Sequence, residues 1–264
     1  MKKMKRIIYP IKTIVLPLLL IAIASILLSS IFKLIDYEGT GFLVKLSEIT
    51  FNHPRRVACI LLFIIILFWY RYSNKDKEYA PSDNYGDYNF IFYYIAWLVV
   101  GYKKVNLKMK PIPLQFQLLN NNRLECFDNT EYLDKNFKYK VTHKGTLDND
   151  TTQINIILSD TYPITIDKIP KKLRENYTIN ISRVGEKGIR IKSQELIELL
   201  IKEVQKTKKY CKTYNLFLTT PASTNISIYN QVFHTERDKF TLNIYQQDSE
   251  NDFVFKEKAI KIKC

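Results

Sequence analysis

The chain has 264 residues, with 40 Lys or Arg against 26 Asp or Glu and a formal net charge of +14. Its four cysteines show no CxxC spacing and its three histidines lie far apart, which indicates neither a zinc site nor a disulfide framework. The sequence contains no nucleophile elbow, Walker loop or paired-carboxylate motif. We therefore expect a protein that is not an enzyme, with no catalytic residue, no metal and no cofactor.

The excess of positive charge extends over the whole chain. Cationic residues number 12 against 7 anionic ones before Lys103, and 28 against 19 from there on. One explanation is an AT-rich genome, which favours Lys, Asn and Ile, together with cations near a membrane that are attracted to anionic lipid. The other is a soluble domain that accommodates a phosphate-bearing partner. Composition leaves both open.

The first element is an uncharged run over residues 14–32 (IVLPLLLIAIASILLSSIF). At 1.5 Å per residue its length matches the roughly 30 Å hydrocarbon core of a bilayer. Residues 1–12 are basic and contain no acidic residue, which predicts a cytoplasmic N-terminus. A signal peptide is the competing interpretation, but the run is long and no small-x-small cleavage site closes it.

A second uncharged run covers residues 57–70 (VACILLFIIILFWY) between flanking arginines. It is short for a span unless neighbouring tyrosines act as interfacial anchors. We predict two transmembrane helices, which return the chain to the cytoplasm. The predicted spans cover about residues 12–34 and 56–72, within a module of residues 1–72, followed by a juxtamembrane linker over 73–102 and a cytoplasmic domain over 103–264.

Residues 89–100 (NFIFYYIAWLVV) form a third uncharged run, which is rich in aromatic residues and too short for an ordinary span. Its composition suits the headgroup belt or a helix packed between the soluble domain and the membrane. Three spans would place the soluble domain outside or reverse the N-terminus against its charges. We favour two spans, and a third remains the alternative.

The soluble part alternates strands and helices. Ser193 is a candidate N-cap for a helix with one apolar face. Strand, helix, strand, helix, strand is the order of a parallel α/β sheet. The predicted strands cover residues 153–158 (QINIIL), 215–218 (NLFL), 239–245 (KFTLNIY) and 252–262, and the predicted helices cover 193–209 and 224–232.

Two loops follow predicted parallel strands, at residues 159–162 and 219–223. Ligands of open α/β sheets bind beyond the carboxyl ends of strands, where chain directions diverge. The second loop also precedes a helix N-terminus, whose free amides and dipole attract phosphate. The alternative interpretation of residues 219–223 is a well-capped turn.

Several segments resemble SAVED domains. Residues 215–233 (NLFLTTPASTNISIYNQVF) with 240–245 (FTLNIY) are similar to the end of that family: a short buried strand, a loop ending in Pro-Ala-Ser, a helix and a strand ending in Tyr. Residues 154–164 (INIILSDTYPI) and 113–117 (PLQFQ) also resemble family segments. Two features differ: the family commonly has a Gly where this chain has Tyr229 or Asn230, and the soluble part is shorter than a two-lobed member.

The resemblance implies a fold and a function. It implies a two-helix transmembrane module followed by a CARF-like, Rossmann-like α/β SAVED domain that binds a cyclic oligonucleotide. A chain of this kind resembles the membrane effectors of CBASS-type antiphage defence, which oligomerise on ligand binding and disrupt the bacterial inner membrane. The implied partners are a cyclic di- or trinucleotide, the lipid bilayer, further copies of the chain and a functionally linked cyclic-nucleotide synthase, but no long nucleic acid.

Candidate ligand-binding residues follow from the two loops and from a glycine-bracketed loop between them. The hydroxyl groups are expected to bond bases, ribose or phosphates, and the aspartate to accept from a base or ribose. A tyrosine is expected to stack on a base, and two cations to neutralise phosphate unless they lie on a solvated hairpin. The candidates are Ser159, Asp160, Thr161, Tyr162, Lys187, Arg190, Thr219, Thr220, Pro221 and Ser223.

Three alternatives remain open. One is a two-span effector with a β-barrel sensor, which the predicted helix after Ser193 disfavours because a small barrel has little use for a long crossover helix. Another is a membrane-tethered enzyme acting on nucleotides or lipids. The third is a membrane-tethered scaffold with no small ligand.

Overall fold

The computed structural model describes residues 10–35, 54–79, 89–132, 137–186, 188–234, 239–248 and 251–264. These residues form two compact units. The first contains the described residues up to Lys104, and the second contains those from Val105 onward. The boundaries predicted from the sequence, after residues 72 and 102, stay a prediction.

The first unit is mainly helical. A π-helical turn, Ile11–Val15, leads into α1, Leu16–Ile35; α2 covers Pro54–Asn74 and is followed by β1, Glu78–Tyr79. Helices are thus confirmed at the first two uncharged runs. Helices α1 and α2 pack together, with Cys59 Sγ 4.0 Å from the carbonyl oxygen of Ser25.

Both helices expose large apolar side chains. Among the described residues, however, no helix meets the combined length and apolarity needed for a membrane span. The exposed apolar side chains of the pair include Leu16, Leu19, Leu20, Ile23, Ile26, Leu27, Ile60, Leu61, Ile64, Ile65, Phe68, Trp69 and Tyr72.

The third uncharged run also forms a short helix. Helix α3, Phe90–Ile95, continues into a π-helical turn, Ala96–Val100. Asn89 caps its start, because the side-chain oxygen accepts a hydrogen bond from the amide of Ile91 at 3.1 Å. Gly101 ends it with a left-handed φ of 90°.

The second unit contains an open sheet. The strands from Lys104 onward are β2, Lys104–Asn106; β3, Glu125–Phe127; β4, Tyr139–Lys144; β5, Ile154–Ser159; β6, Thr178–Arg183; β7, Thr213–Leu218; β8, Thr241–Ile244; β9, Gln247–Asp248; β10, Val254–Phe255; and β11, Ile260–Lys263. Within the described residues, six of them form the sheet in the order β11-β8-β7-β5-β6-β4. The four inner strands are parallel, and the two edge strands, β4 and β11, are antiparallel to their neighbours. The predicted parallel α/β sheet is therefore confirmed.

Helices and short connections cover the two faces of this sheet. On one face Tyr214 of β7 places its hydroxyl 3.1 Å from Thr207 of a helix and its ring 5.7 Å from Phe233. On the other face Ile157 and Phe217 belong to a buried cluster that includes residues of the β5–β6 connection. The helices are α4, Ile112–Asn121; α5, Gln194–Thr207; and α6, Ala222–Ser227, which continues as a π-helical turn, Ile228–Phe233; the β5–β6 connection has 3₁₀ turns at Ile166–Lys168 and Lys171–Leu173.

Several predicted elements differ in detail. Helix α5 has the predicted cap, since Ser193 Oγ accepts from the amide of Leu196 at 3.3 Å. The last predicted strand, 252–262, is wrong as a single element because β10 and β11 are separate strands. Strand β6 was not predicted, because its polar residues interrupt the apolar pattern of a buried strand.

An asparagine ladder crosses the buried sheet. Asn155, Asn215 and Asn243 are register partners on β5, β7 and β8. Asn243 Nδ2 donates to Asn215 Oδ1 at 2.9 Å, and Asn215 Nδ2 donates to Asn155 Oδ1 at 3.0 Å. Asn155 Nδ2 then donates to the carbonyl oxygen of Leu173 at 2.6 Å and to the Thr178 hydroxyl at 3.1 Å. Because a slip by one residue would break the ladder, these amides favour a single register.

Candidate functional site

The topology places a switch point between β5 and β7. These strands are parallel neighbours, but the chain leaves β5 towards β6 on one side and leaves β7 towards β8 on the other. Connections that diverge from adjacent parallel strands leave a crevice at the carboxyl edge of the sheet. Residues 159–162 begin at the last residue of β5, and residues 219–223 follow β7 at this edge; we call them the first and second crevice loops.

Hydrogen bonds hold the two crevice loops together. The amide of Thr161 donates to the carbonyl oxygen of Thr219 at 3.0 Å, and the Thr219 hydroxyl donates to the carbonyl oxygen of Tyr162 at 2.7 Å. The amide of Thr219 also donates to the carbonyl oxygen of Leu158 at 3.1 Å. The two predicted loops therefore lie side by side. The hydrogen bond from the Thr219 hydroxyl fixes the distance between them.

Other hydroxyls of the crevice loops also have internal partners. Ser159 Oγ accepts from the amide of Ile164 at 3.0 Å, and the Thr220 hydroxyl donates to Asn225 Oδ1. Thr161 and Pro221 are buried. Tyr162 differs from these residues, since 59% of its surface is exposed. Its ring is the part of the first crevice loop that faces solvent.

Asp160 lies in a buried charged cluster. Its Oδ1 accepts hydrogen bonds from Arg183 Nη2 at 2.6 Å, Arg183 Nε at 3.0 Å and the Tyr139 hydroxyl at 2.7 Å. Its Oδ2 is buried and has no hydrogen-bond partner among the described residues. Burial raises the pKa of Asp160, although the bonds from Tyr139 and Arg183 act in the opposite direction. Sequence analysis did not identify Tyr139 or Arg183.

The loop after β6 adjoins the first crevice loop. The amide of Gly188 donates to the carbonyl oxygen of Thr161 at 2.8 Å, and Arg183 Nη1 donates to the carbonyl oxygen of Ile189 at 2.7 Å. Arg190, from the predicted cation pair, is exposed on this loop. Lys187, the other member, lies outside the described residues.

A carboxylate of the chain, that of Asp128, binds the second crevice loop. The amide of Ser223 donates to Asp128 Oδ2 at 3.0 Å. Ser223 Oγ is buried and lies beside the Tyr132 hydroxyl, which donates to the same carboxylate oxygen. The amide predicted to attract phosphate therefore bonds a carboxylate that lies 95 residues earlier. No local sequence pattern identifies Asp128.

A buried amide pair supports the same loop from behind. Asn225 Nδ2 donates to Gln115 Oε1 at 2.8 Å, which joins α6 to α4. Gln115 belongs to the segment 113–117 that resembles a family segment, but the sequence did not predict this contact. Within the described ranges, no group of His, Cys, Asp and Glu is arranged to hold a metal ion.

These features define an open, mainly parallel α/β domain with its candidate site at a topological switch point. Residues 1–262 match the SMODS- and Ubiquitin system-associated 2TM effector domain, so the chain belongs to this family. The match confirms the membrane-effector family that the sequence resembles. No curated protein matches the chain.

Similar solved structures include the Acinetobacter baumannii Cap4 SAVED/CARF-domain containing receptor. Its structure with the cyclic trinucleotide 2'3'3'-cAAA is 10% identical, with a TM-score of 0.41 over 65% of this chain and 40% of that chain. The structure with 3'3'3'-cAAA is 12% identical, with a TM-score of 0.40 and the same coverage. A third structure of this receptor is 12% identical, with a TM-score of 0.38 over 65% of this chain and 38% of that chain. The similarity thus spans about two fifths of each receptor chain.

Proposed function

We propose that the protein is an effector of CBASS-type antiphage defence that senses a cyclic oligonucleotide. The second unit binds the ligand, copies of the chain oligomerise, and α1 and α2 disrupt the bacterial inner membrane. The ligand comes from a functionally linked cyclic-nucleotide synthase. The chain acts as a sensor and effector and not as an enzyme, with its N-terminus and second unit in the cytoplasm.

The switch-point crevice between β5 and β7 carries this proposal. Two crevice loops meet there, and the first contributes a buried carboxylate oxygen, Asp160 Oδ2, without a hydrogen-bond partner in the described structure. Buried polar atoms are normally hydrogen-bonded, so a ligand that supplies a partner to this oxygen gains binding energy. Membership of an effector-domain family independently supports a role in signalling over a role in catalysis.

The side chains around the crevice suit a nucleotide. The exposed ring of Tyr162 provides a stacking surface for a base. Asp160 Oδ2 is an acceptor and repels phosphate, so it bonds an N–H of a base or a ribose hydroxyl. Arg190 is exposed on the adjoining loop, where its charge attracts a phosphate.

The membrane part of the proposal is supported by the surface of the helix pair. Large apolar side chains are exposed on α1 from Leu16 to Leu27 and on α2 from Ile60 to Tyr72, for example Leu20 at 56% and Phe68 at 68%. Contiguous exposed apolar surface of this kind marks a site of contact with lipid or protein. Lipid contact accounts for an outward apolar face on both helices.

The first experiment is a thermal-shift screen of the full-length chain in detergent against cyclic di- and trinucleotides of differing base composition. A ligand that binds only the folded state raises the melting temperature. We expect one cyclic species to raise it. Tyr162→Ala should then weaken binding roughly 5- to 150-fold, since base stacking is worth about 1–3 kcal/mol.

A matched control is Phe253→Ala, because Phe253 is also a large exposed side chain (54%) but lies in the turn between β9 and β10. This variant should bind like the unchanged chain. A folded protein that responds to no cyclic nucleotide would contradict the proposal and favour the alternative of a membrane-tethered scaffold. Turnover of a nucleotide by the purified chain would favour the alternative of a membrane-tethered enzyme.

The effector step needs its own measurement. Full-length chain in dye-loaded vesicles should release dye only when the identified ligand is added, and crosslinking should then show larger oligomers. Arg190→Glu should weaken the response, whereas Lys261→Glu, a charge reversal on the exposed edge of β11, should not. Ligand binding without dye release or oligomerisation would contradict the membrane mechanism while leaving the sensor intact.

A further inference from the structure

The second crevice loop already binds a carboxylate of the chain. Asp128 Oδ2 accepts from the amide of Ser223 at 3.0 Å and from the Tyr132 hydroxyl. Asp128 Oδ1 accepts from the amide and the hydroxyl of Thr130, at 3.0 and 2.6 Å. All four donors are neutral, and Asp128 forms no ion pair within the described part of the chain. Because no cation balances this carboxylate, the second crevice loop repels phosphate.

Two hydroxyl groups of the same loop have already donated their protons. The Thr219 hydroxyl donates to a carbonyl oxygen of the first crevice loop at 2.7 Å, and the Thr220 hydroxyl donates to Asn225 Oδ1. The orientation of the Asn225 amide follows from its neighbour, because Asn225 Nδ2 donates to Gln115 Oε1. Gln115 Nε2 in turn donates to the carbonyl oxygen of Lys110 at 2.8 Å, and a carbonyl oxygen only accepts. Towards a ligand, the Thr219 and Thr220 oxygens therefore act only as acceptors.

The first crevice loop begins with a β-bulge. The amide of Thr219 donates to the carbonyl oxygen of Leu158, and the Thr219 carbonyl oxygen accepts from the amide of Thr161. Ser159 and Asp160 both lie between these two bonds, where a regular parallel ladder has one residue. Bulges occur beside functional sites, where they redirect a side chain. This bulge sets the position of the Asp160 carboxylate.

Asp160 offers one oxygen to a ligand. Its Oδ1 accepts three hydrogen bonds from Arg183 and Tyr139, whereas its Oδ2 has no partner within the described residues. A carboxylate oxygen accepts an N–H or O–H donor and repels the oxygens of a phosphate. The neutral hydroxyls of Ser159 and Thr161 suit either a base or a phosphate, so they do not distinguish the two. The carboxylates therefore disfavour phosphate at both crevice loops.

We infer that the crevice receives the edge of a nucleobase, whose exocyclic amino group donates to Asp160 Oδ2, while the phosphates of the ligand lie outside the crevice. This inference deepens the proposed function and rests on it. Adenine and cytosine present an amino donor, whereas a carbonyl oxygen, as in uracil, would face the carboxylate. Asp160 is 1% exposed, so the crevice loops must part for this bond to form. The exposed ring of Tyr162 then stacks on the same base.

The cations available to the phosphates lie on the loop after β6. Neither crevice loop contains Lys or Arg, whereas residues 184–192 contain three cationic residues and one acidic residue. Arg190 and Lys192 are exposed. This loop adjoins the first crevice loop, because the amide of Gly188 donates to the carbonyl oxygen of Thr161 at 2.8 Å. Phosphates outside the crevice therefore face a cationic loop, and phosphates inside it would face carboxylates.

The test compares cyclic nucleotides that differ in the amino group of the base. The full-length chain in detergent is titrated with both members of each pair, and the dissociation constants are measured by calorimetry. In a pair that binds, we expect the amino-bearing ring to bind about 10- to 150-fold more tightly, since its partner lacks a hydrogen bond to a charged group. The pairs are cyclic tri-AMP and cyclic di-AMP, each against the ring with purine in place of adenine; cyclic di-GMP against cyclic di-IMP; and cyclic di-CMP against cyclic di-UMP.

The variant Asp160→Asn tests whether this side chain recognises the amino group. We expect the ratio of affinities within a pair to fall towards one, because the carboxylate oxygen that accepts from the amino group is lost. Damage to the fold alone would weaken both members of a pair equally and leave their ratio unchanged. Asp148→Asn is the matched control, because Asp148 is exposed, and it should keep the full ratio. Arg190→Gln should weaken both members alike.

The outcomes separate this inference from the proposed function. Equal affinity of the unchanged chain for both members of a pair would overturn the inference and leave the proposed sensor intact, and this comparison needs no variant to fold. Tighter binding of both members by Asp160→Asn would also overturn it, because removal of the negative charge would then favour a phosphate at Asp160. If a folded chain binds none of these rings, the proposed function itself fails.

Discussion

The guanidinium of Arg183 donates two hydrogen bonds to the same oxygen of Asp160, with both side chains almost fully buried. Arg183 ends β6 and Asp160 follows β5, so the pair joins the first crevice loop to the loop that carries Arg190. Since Tyr139 of the edge strand β4 donates to the same oxygen, three strands meet at this carboxylate. The charged pair therefore fixes the first crevice loop against β4 and β6.

Removing one partner of this pair should destabilise the second unit strongly. Arg183→Met leaves a buried carboxylate without its counter-charge, which typically costs about 3–5 kcal/mol. Urea unfolding followed by near-ultraviolet circular dichroism measures the loss. The double variant Asp160→Asn with Arg183→Met should recover much of it, because no uncompensated charge remains. A double variant as unstable as Arg183→Met alone would contradict this account.

The asparagine ladder should depend most on its middle member. Asn215→Ala leaves Asn155 Oδ1 and Asn243 Nδ2 without the bonds that they make to Asn215, and we expect a loss of about 2 kcal/mol in the free energy of unfolding. Asn230→Ala is the matched control, because Asn230 is exposed. If both variants unfold at the same urea concentration, the ladder contributes nothing to stability.

Gly101 should tolerate substitution less well than Gly185. Both have a left-handed φ, 90° and 99°, so alanine costs about 1–3 kcal/mol of backbone strain at either position. Only at Gly101 does the added Cβ also meet backbone atoms of Arg71, whereas nothing lies within 4 Å at Gly185. We expect Gly101→Ala to lower the melting temperature of the full chain further than Gly185→Ala does. Equal shifts would show that the contact with Arg71 relaxes freely.

Glu203 should make the second unit acid-sensitive. Burial acts to raise its pKa, but hydrogen bonds from Lys206 at 2.6 Å and His143 at 2.8 Å outweigh burial and leave the pKa below its ordinary value of 4.5. A carboxyl with a lowered folded pKa stabilises the fold above its unfolded pKa, and this stability is lost as the pH falls through the folded pKa. Unfolding measured from pH 7 down to acid should show the loss below about pH 4.5.

Glu203→Gln is the control for this acid sensitivity. It keeps the size of the side chain but removes the titrating group, so its stability should change less over the same acid range than that of the unchanged chain. An identical acid profile for both proteins would assign the sensitivity to other carboxyls. Glu195→Gln, an exposed position at the start of α5, serves as a second comparison.

Local sequence predicted the elements that depend on local chemistry. The continuous apolar run around Ile156 gives a strand buried on both faces, and the Ser193 cap with its apolar periodicity gives α5. The order of these elements predicted parallel strands, and hence the edge at which the two crevice loops lie. Strand β4 escaped prediction because it is an exposed edge strand with little apolar patterning.

The sequence by itself determined the helices of the uncharged runs, the parallel α/β sheet and the pair of loops at its carboxyl edge, because these follow from periodicity, capping and element order. Only the tertiary structure decided which polar atoms in those loops already have hydrogen-bond partners within the protein. Arg183 and Tyr139 reach Asp160, and Asp128 reaches the amide of Ser223, from segments distant in the chain. Such contacts depend on how the strands are ordered in the sheet. The residue pattern of a single segment does not predict that order.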